Sequence, residues 1–195
     1  MKLKEFVYLY ILTKNLEGEN KFSQREISEL LKISLTNVHA ALKPLRKMSA
    51  VRIFPQGFEL LDREKVLLYW ANFRNLYQDI IWKGFSSEET LKIESSMPAS
   101  ATFTAYSAFR ILKKSTPADY SEVYVYCNDV KELSRRFQTA KQPSNIFALK
   151  KDSRLDLFTK NSAVPLPLIF VDIWNLPEWY AKEFLKELKK ELLEE

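Results

Sequence analysis

The chain has 195 residues, of which 46% are hydrophobic, 13% aromatic and 28% charged, with a formal net charge of +5 at pH 7. That composition supplies a packed core and excludes intrinsic disorder, and at roughly 100–200 residues per domain the length provides for two small domains. The longest apolar runs, Phe6–Leu12 and Ala163–Val171, fall well short of the roughly 18 residues of a membrane span, so no membrane partner is expected.

The run behind Lys2 and Lys4 lacks the length and small-residue cleavage site of a signal peptide, and the chain reads as cytoplasmic. A single cysteine, Cys127, and a single histidine, His39, exclude an internal disulfide and a Cys/His zinc site. Glycines stand alone at Gly18, Gly57 and Gly84, which excludes the phosphate loops G-x-x-x-x-G-K-[ST] and G-x-G-x-x-G. No cofactor and no metal are expected. Residues 1–61 carry 10 Lys+Arg against 6 Asp+Glu, whereas residues 62–195 carry 20 against 19. An excess confined to one end suits a segment that meets a polyanion, although a net of +4 also suits plain solubility.

In chain order, Leu3, Phe6, Val7, Tyr10 and Ile11 fall at i, i+3, i+4, i+7 and i+8, which predicts a helix. Glu17-Gly18-Glu19-Asn20 interrupts it. Ser23 and Glu26 form an S-x-x-E capping box ahead of Ile27, Leu30 and Leu31, so a second helix starts at Ser23 and ends near Lys32. Ser34 is the N-cap of a third, whose inward face is Val38, Leu42 and Leu45. Two short helices joined by three or four residues make a helix-turn-helix.

The stretch FSQREISELLKISLTNVHAALKPLRKM, Phe22–Met48, resembles the helix-turn-helix of winged-helix transcription regulators, and the following VRIFPQGFEL resembles their β-wing; residues 1–61, which contain both, are about a third of the chain. The resemblance implies that the third helix enters the major groove of double-stranded DNA with Leu35, Thr36, Asn37, His39 and Lys43 towards the bases. Arg46 and Lys47 then face the backbone, Arg52 and Gln56 of the wing lie alongside, and Gln24 and Arg25 complete the DNA-binding set. An α-helix fits the major groove, where Asn37 suits an adenine edge. Lys32 stands where such turns often place glycine, and Pro44 is expected to kink the third helix. Val51–Phe54 and Phe58–Leu61 read as a hairpin across Pro55-Gln56-Gly57, with the glycine available for φ > 0.

Asp62 then caps a connector helix of about twenty residues to Trp82. Val66, Tyr69, Trp70, Phe73, Tyr77 and Ile80 form its apolar stripe, and Arg63, Lys65, Arg74 and Asp79 lie off it. Such a stripe joins two domains, forms a homodimer face, or does both. Residues 84–195 read as an α+β domain. Its expected helices are Phe103–Lys114, Val130–Phe137 and Glu178 to the end, and its strands are Glu122–Cys127, Ile146–Leu149, Leu155–Phe158 and Leu168–Ile173 in a small mixed sheet.

The winged helix followed by Phe103–Phe109 on a helix and Phe170-Val171-Asp172 on a late strand resembles the antitoxin component of AbiE-type abortive-infection systems and archaeal regulators of similar build. This implies a second domain related in fold to nucleotidyltransferases. The magnesium-binding pattern of a working nucleotidyltransferase is missing, however: Gly84 precedes Phe85, no D-x-D occurs, and Asp152 and Asp156 are four apart. Asp172 reads as a lone strand carboxylate that caps the next helix or pairs a lysine, and Cys127 as a buried apolar side chain. No catalysis is expected. The basic pairs Lys113-Lys114, Arg135-Arg136 and Lys150-Lys151, with Lys141, read as solvated charge. In the last helix Tyr180, Phe184, Leu188 and Leu192 pack inward, and Lys182, Lys186, Lys189 and Lys190 stand among glutamates. The expectation is a DNA-binding transcription regulator, a homodimer, whose second domain senses or dimerises. The alternatives are an antitoxin-like module that binds a protein partner through residues 84–195, and a degenerate nucleotidyltransferase.

Overall fold

A computed structural model describes residues 1–140 and 143–193, so Lys141 and the end of the last expected helix lie outside the described residues. Among these residues nine α-helices and eight strands in two sheets make an α+β fold. No helix among them is long and apolar enough to cross a membrane.

The first three helices form where their caps place them. α1 (Leu3–Leu16) starts where the Lys2 N–H donates to Glu5 Oε1 at 2.7 Å. α2 (Gln24–Leu31) starts where Ser23 Oγ accepts the Glu26 N–H at 3.3 Å. α3 (Leu35–Lys47) starts where Ser34 Oγ accepts the Asn37 N–H at 3.2 Å. Each hydroxyl cap satisfies one of the free N–H groups of a helix start. α2 ends on Lys32 in the left-handed region, φ 51°. α3 stays helical through Pro44 to Lys47. It is anchored beyond the proline by the buried Leu45, whose carbonyl accepts the Ala50 N–H at 2.9 Å.

β1 (Lys21–Phe22), β2 (Val51–Phe54) and β3 (Gly57–Leu60) form an antiparallel sheet in the order β1-β3-β2. Phe54 pairs with Gly57 across the two-residue turn Pro55-Gln56. Gly57 does not take the positive φ expected of it. Glycine is needed there because a Cβ would collide with the Phe22 carbonyl oxygen of the neighbouring strand.

The expected twenty-residue connector is about half that length. α4 (Arg63–Phe73) is capped by Asp62, whose Oδ1 accepts the Lys65 N–H at 2.9 Å, and it stops at Arg74, which is extended. A 3-10 turn over Leu76–Asp79 and then β4 (Ile80–Phe85) follow. Tyr77 and Ile80 therefore leave the stripe. The break falls where Arg74, expected on the solvent side, turns inward and is 4% exposed. The rest of the stripe closes on α1: the Tyr8 ring meets Tyr69, Trp70 and Phe73 edge-on at 5.9–6.5 Å.

The second sheet also contains β5 (Thr102–Thr104), β6 (Val123–Tyr126), β7 (Gln138–Thr139) and β8 (Ile146–Leu149), in the order β5-β6-β8-β4-β7. β6 and β8 are parallel and the other pairs antiparallel, so the sheet is mixed, as expected. α5 (Thr90–Ser95) precedes β5, and α7 (Val130–Arg136) lies in the β6–β8 crossover.

Three expectations fail here. Phe103 lies on β5, and the helix, α6 (Ala105–Lys113), begins after it. Leu155–Phe158 is not a strand, because Ser153–Leu157 forms a 3-10 helix capped by Asp152. Leu168–Ile173 lies within a helix, α8 (Leu166–Trp174). A short continuous apolar run suits a buried strand or a buried helix equally, and Pro165 and Pro167 at its start favour the helix. α8 is the centre of the molecule: Pro167 through Ile173 are all buried. One continuous hydrophobic cluster runs from Phe6 of α1 through α3, α4 and α8 to Leu192 of α9 (Ala181–Leu193). A smaller cluster, with Trp82, Ile93, Val125 and the buried Cys127, also packs on the second sheet.

Candidate nucleic-acid interface

α3 is positioned from behind. Val38, Ala41, Leu42 and Leu45 are buried, and the Tyr8 hydroxyl of α1 donates to the Ala41 carbonyl at 2.8 Å. With that side fixed, His39, Lys43, Arg46 and Lys47 are exposed. His39, Lys43 and Arg46, with Gln24 from the first turn of α2 and Ile53 from β2, line a groove of about 340 Å³ whose floor includes Leu42. No acidic residue occurs in α3. Lys43, Arg46 and Lys47 make no ion pair among the described residues, so their charges are unneutralised.

The structure thus brings four of the expected residues, Gln24, His39, Lys43 and Arg46, into one concavity. Leu35 and Thr36 are exposed on the first turn of α3, and Asn37 is half-buried, its backbone N–H held by Ser34. Gln56 is exposed at the wing tip. Arg25 and Arg52 are exposed but paired, with Glu29 at 2.8 Å and Glu59 at 3.4 Å. The wing's cation is therefore largely offset by its own strand partner.

Two contributors were not legible. Ile53, placed by the sequence only on a hairpin strand, is 36% exposed and lines the groove. Arg154 lies 123 residues from Leu31, but its Nε donates to the Leu31 carbonyl at 2.7 Å while Asp152 holds its Nη1 at 2.9 and 3.0 Å. It thereby satisfies a free carbonyl at the end of α2 and fixes the turn leading into α3.

The strongest cluster of charge elsewhere is closed. Asp172 is on a helix rather than a strand, and its partner is an arginine: it accepts from Arg74 Nε at 3.1 Å, Thr104 Oγ1 at 2.7 Å and Tyr126 Oη at 2.7 Å. Arg74 also reaches Asp79 at 2.5 Å and Glu5 at 3.5 Å, and Trp70 Nε1 donates to Glu5 at 3.0 Å. Burial pushes the Asp172 carboxyl up against the pull of Arg74. Asp172 is fully buried and bonded on every side from within the chain, so the network ties α1, α4, β6 and α8 together. Among the described residues no group of three or more His, Cys, Asp or Glu side chains is placed to hold a metal ion.

Compared with known proteins, the chain matches no family model, no curated protein and no solved structure.

Proposed function

We propose that the chain is a DNA-binding transcription regulator that reads double-stranded DNA with α3 and the β2–β3 wing, the remainder of the fold serving to sense a signal or to dimerise. The observation that carries this reading is the groove between α3, the start of α2 and β2: among the described residues it presents Lys43 and Arg46 unpaired, with His39 and Gln24, and is lined by no carboxylate. Lys43, Arg46 and Lys47 neutralise phosphates, which supplies affinity without sequence preference. Thr36, Asn37 and His39 offer donors and acceptors to base edges, and the exposed apolar side chains of Leu35 and Ile53 suit the thymine methyl group.

The test is selection of bound sequences from a pool of random duplexes with the full chain. Enrichment of a defined motif, with binding of the selected duplex weakened by Arg46→Ala, supports the reading. A bound pool that stays as random as the input, or binding indifferent to Arg46→Ala, rejects it.

A further inference from the structure

α9 is divided lengthwise into three faces. At about 100° per residue, Phe184, Leu188 and Leu192 form a buried stripe, Glu183, Glu187 and Glu191 occupy the next sector, and Lys182, Lys186, Lys189 and Lys190 share a third. The glutamate flank is answered from within the chain, since Glu191 pairs with Lys113 of α6. Along the lysine flank, Lys182 has its neighbour Glu183 at 4.0 Å and Lys190 has Glu187 at 2.8 Å, both on the same helix. Among the described residues Lys186 makes no ion pair.

These four lysines open onto a groove of about 470 Å³ whose other walls are Leu185 and Trp174, with no carboxylate among them. Trp174, the last residue of α8, is 37% exposed, and the Lys189 ammonium stands 5.7 Å from its ring centroid. Trp179, three residues before Lys182, is 73% exposed. Lysines and glutamates placed for solubility or for helix pairing intersperse around a helix. Separation of one sign onto a concave face beside an indole instead matches a ligand that is polyanionic and carries flat π-surfaces.

We propose that this groove binds single-stranded nucleic acid, its lysines along the phosphates and Trp174 stacked on a base. A duplex is the poorer fit because its bases are already stacked on one another and cannot reach an indole in a groove. An anionic membrane is also the poorer fit, since an interfacial helix inserts its apolar face, and the apolar face of α9 is buried in the core. The site is separate from α3, and the proposal does not depend on the duplex reading.

Anisotropy of a labelled oligothymidylate of about 12 nucleotides, titrated with the full chain, tests it. The intact protein is expected to bind, more weakly as salt rises from about 50 to 200 mM. Lys186→Glu with Lys189→Glu should weaken binding by at least about tenfold and flatten the salt dependence. Trp174→Leu should weaken it about five- to a hundredfold and remove the quenching of tryptophan fluorescence. Because Lys186 and Lys189 are exposed, the double variant should keep the wild-type thermal transition, which keeps the test valid if Trp174→Leu unfolds. Arg46→Ala should leave binding of the single strand intact. The proposal is overturned if the intact chain ignores the oligonucleotide, if the double lysine variant binds as well as wild type, or if a folded Trp174→Leu variant does. It also fails if Arg46→Ala alone abolishes binding, which would place the strand on α3.

Discussion

Arg46 and Lys43 face the groove from the side of α3 turned away from the core, and the two charges have no counter-ion among the described residues. Arg46→Ala should therefore weaken binding to every duplex alike and lower the slope of log K against log salt by about one. Thr36→Ala and Asn37→Ala should instead cost about 1–3 kcal/mol of discrimination while leaving scrambled duplexes bound as before. Titrating selected and scrambled duplexes side by side separates the two classes, and equal losses on both would deny α3 a role in reading bases. Glu122 makes a different point. Its Oε2 is buried without a hydrogen-bond partner among the described residues, and burial, reinforced by Glu178, raises the carboxyl above its ordinary 4.5. A carboxyl raised on folding is penalised when ionised: the penalty is absent below its unfolded value and complete above its folded one. Glu122→Gln removes the buried charge and its repulsion from Glu178 and should thus stabilise the protein at neutral pH, and the gain should vanish in acid, where the wild-type carboxyl is itself neutral. Thermal unfolding across the pH range checks it; a gain that persists in acid would assign the effect to something other than ionisation.

The joint between α2 and α3 combines a local cost with a distant clamp. Lys32 holds a left-handed backbone, φ 51°, which costs a side-chain-bearing residue about 1–2 kcal/mol and glycine almost nothing. Lys32→Gly should therefore stabilise the protein by about 0.5–1 kcal/mol in urea titration, since glycine loses more freedom on folding and returns part of the gain. A destabilised variant would show that the Lys32 side chain contributes more than its backbone costs. The clamp is Arg154, whose guanidinium closes the end of α2 at Leu31. Arg154→Ala removes a charge-assisted bond of about 1.5–3 kcal/mol and should raise amide exchange at the α2–α3 turn more than in α8. Uniform exchange throughout would mean that Arg154 does not act locally on that turn.

At the level of the fold, the cluster that backs α3 is continuous with the one around α8, and the buried Arg74–Asp172 pair crosses the same junction. Residues 1–61 carry α1, whose side facing α4 and α8 would be stripped bare in isolation. That fragment should consequently show little cooperative unfolding by circular dichroism, whereas a cooperative transition would mark it as an independent unit. Asp172→Ala leaves Arg74 buried without its deepest partner and should cost about 3–5 kcal/mol, read as a lowered urea midpoint. The proposed regulator should also be a homodimer, because one recognition module buries only about 600–1,000 Å² of its own surface on DNA. Light scattering decides this, with a mass of 22.9 kDa rejecting it. The α4 stripe is closed on α1, so a second copy would meet another face.

Much of the candidate interface was legible because it is built from local signals. Ser23 and Ser34 cap the helices that follow them, and the three-and-four spacing of Val38, Leu42 and Leu45 turns His39, Lys43 and Arg46 outward wherever the helix sits. The α+β class also followed from strand alternation and helical periodicity, whereas the pairing directions of the strands did not. Where a pattern fits two structures, sequence could not choose. Leu168–Ile173 is buried at every position, Asp172 included, and became a helix because α8 is enclosed by α1, α4, α6 and α9 among others. Tyr77 and Ile80 continue the spacing of α4, yet the helix breaks at Arg74, whose charge is met by Glu5, Asp79 and Asp172 brought from three other places in the chain. Arg154 on the α2 turn and the outward Ile53 belong with these. Each depends on a partner or a neighbouring surface that adjacency in the chain does not encode, and long-range contact is the physical term that local propensity leaves out.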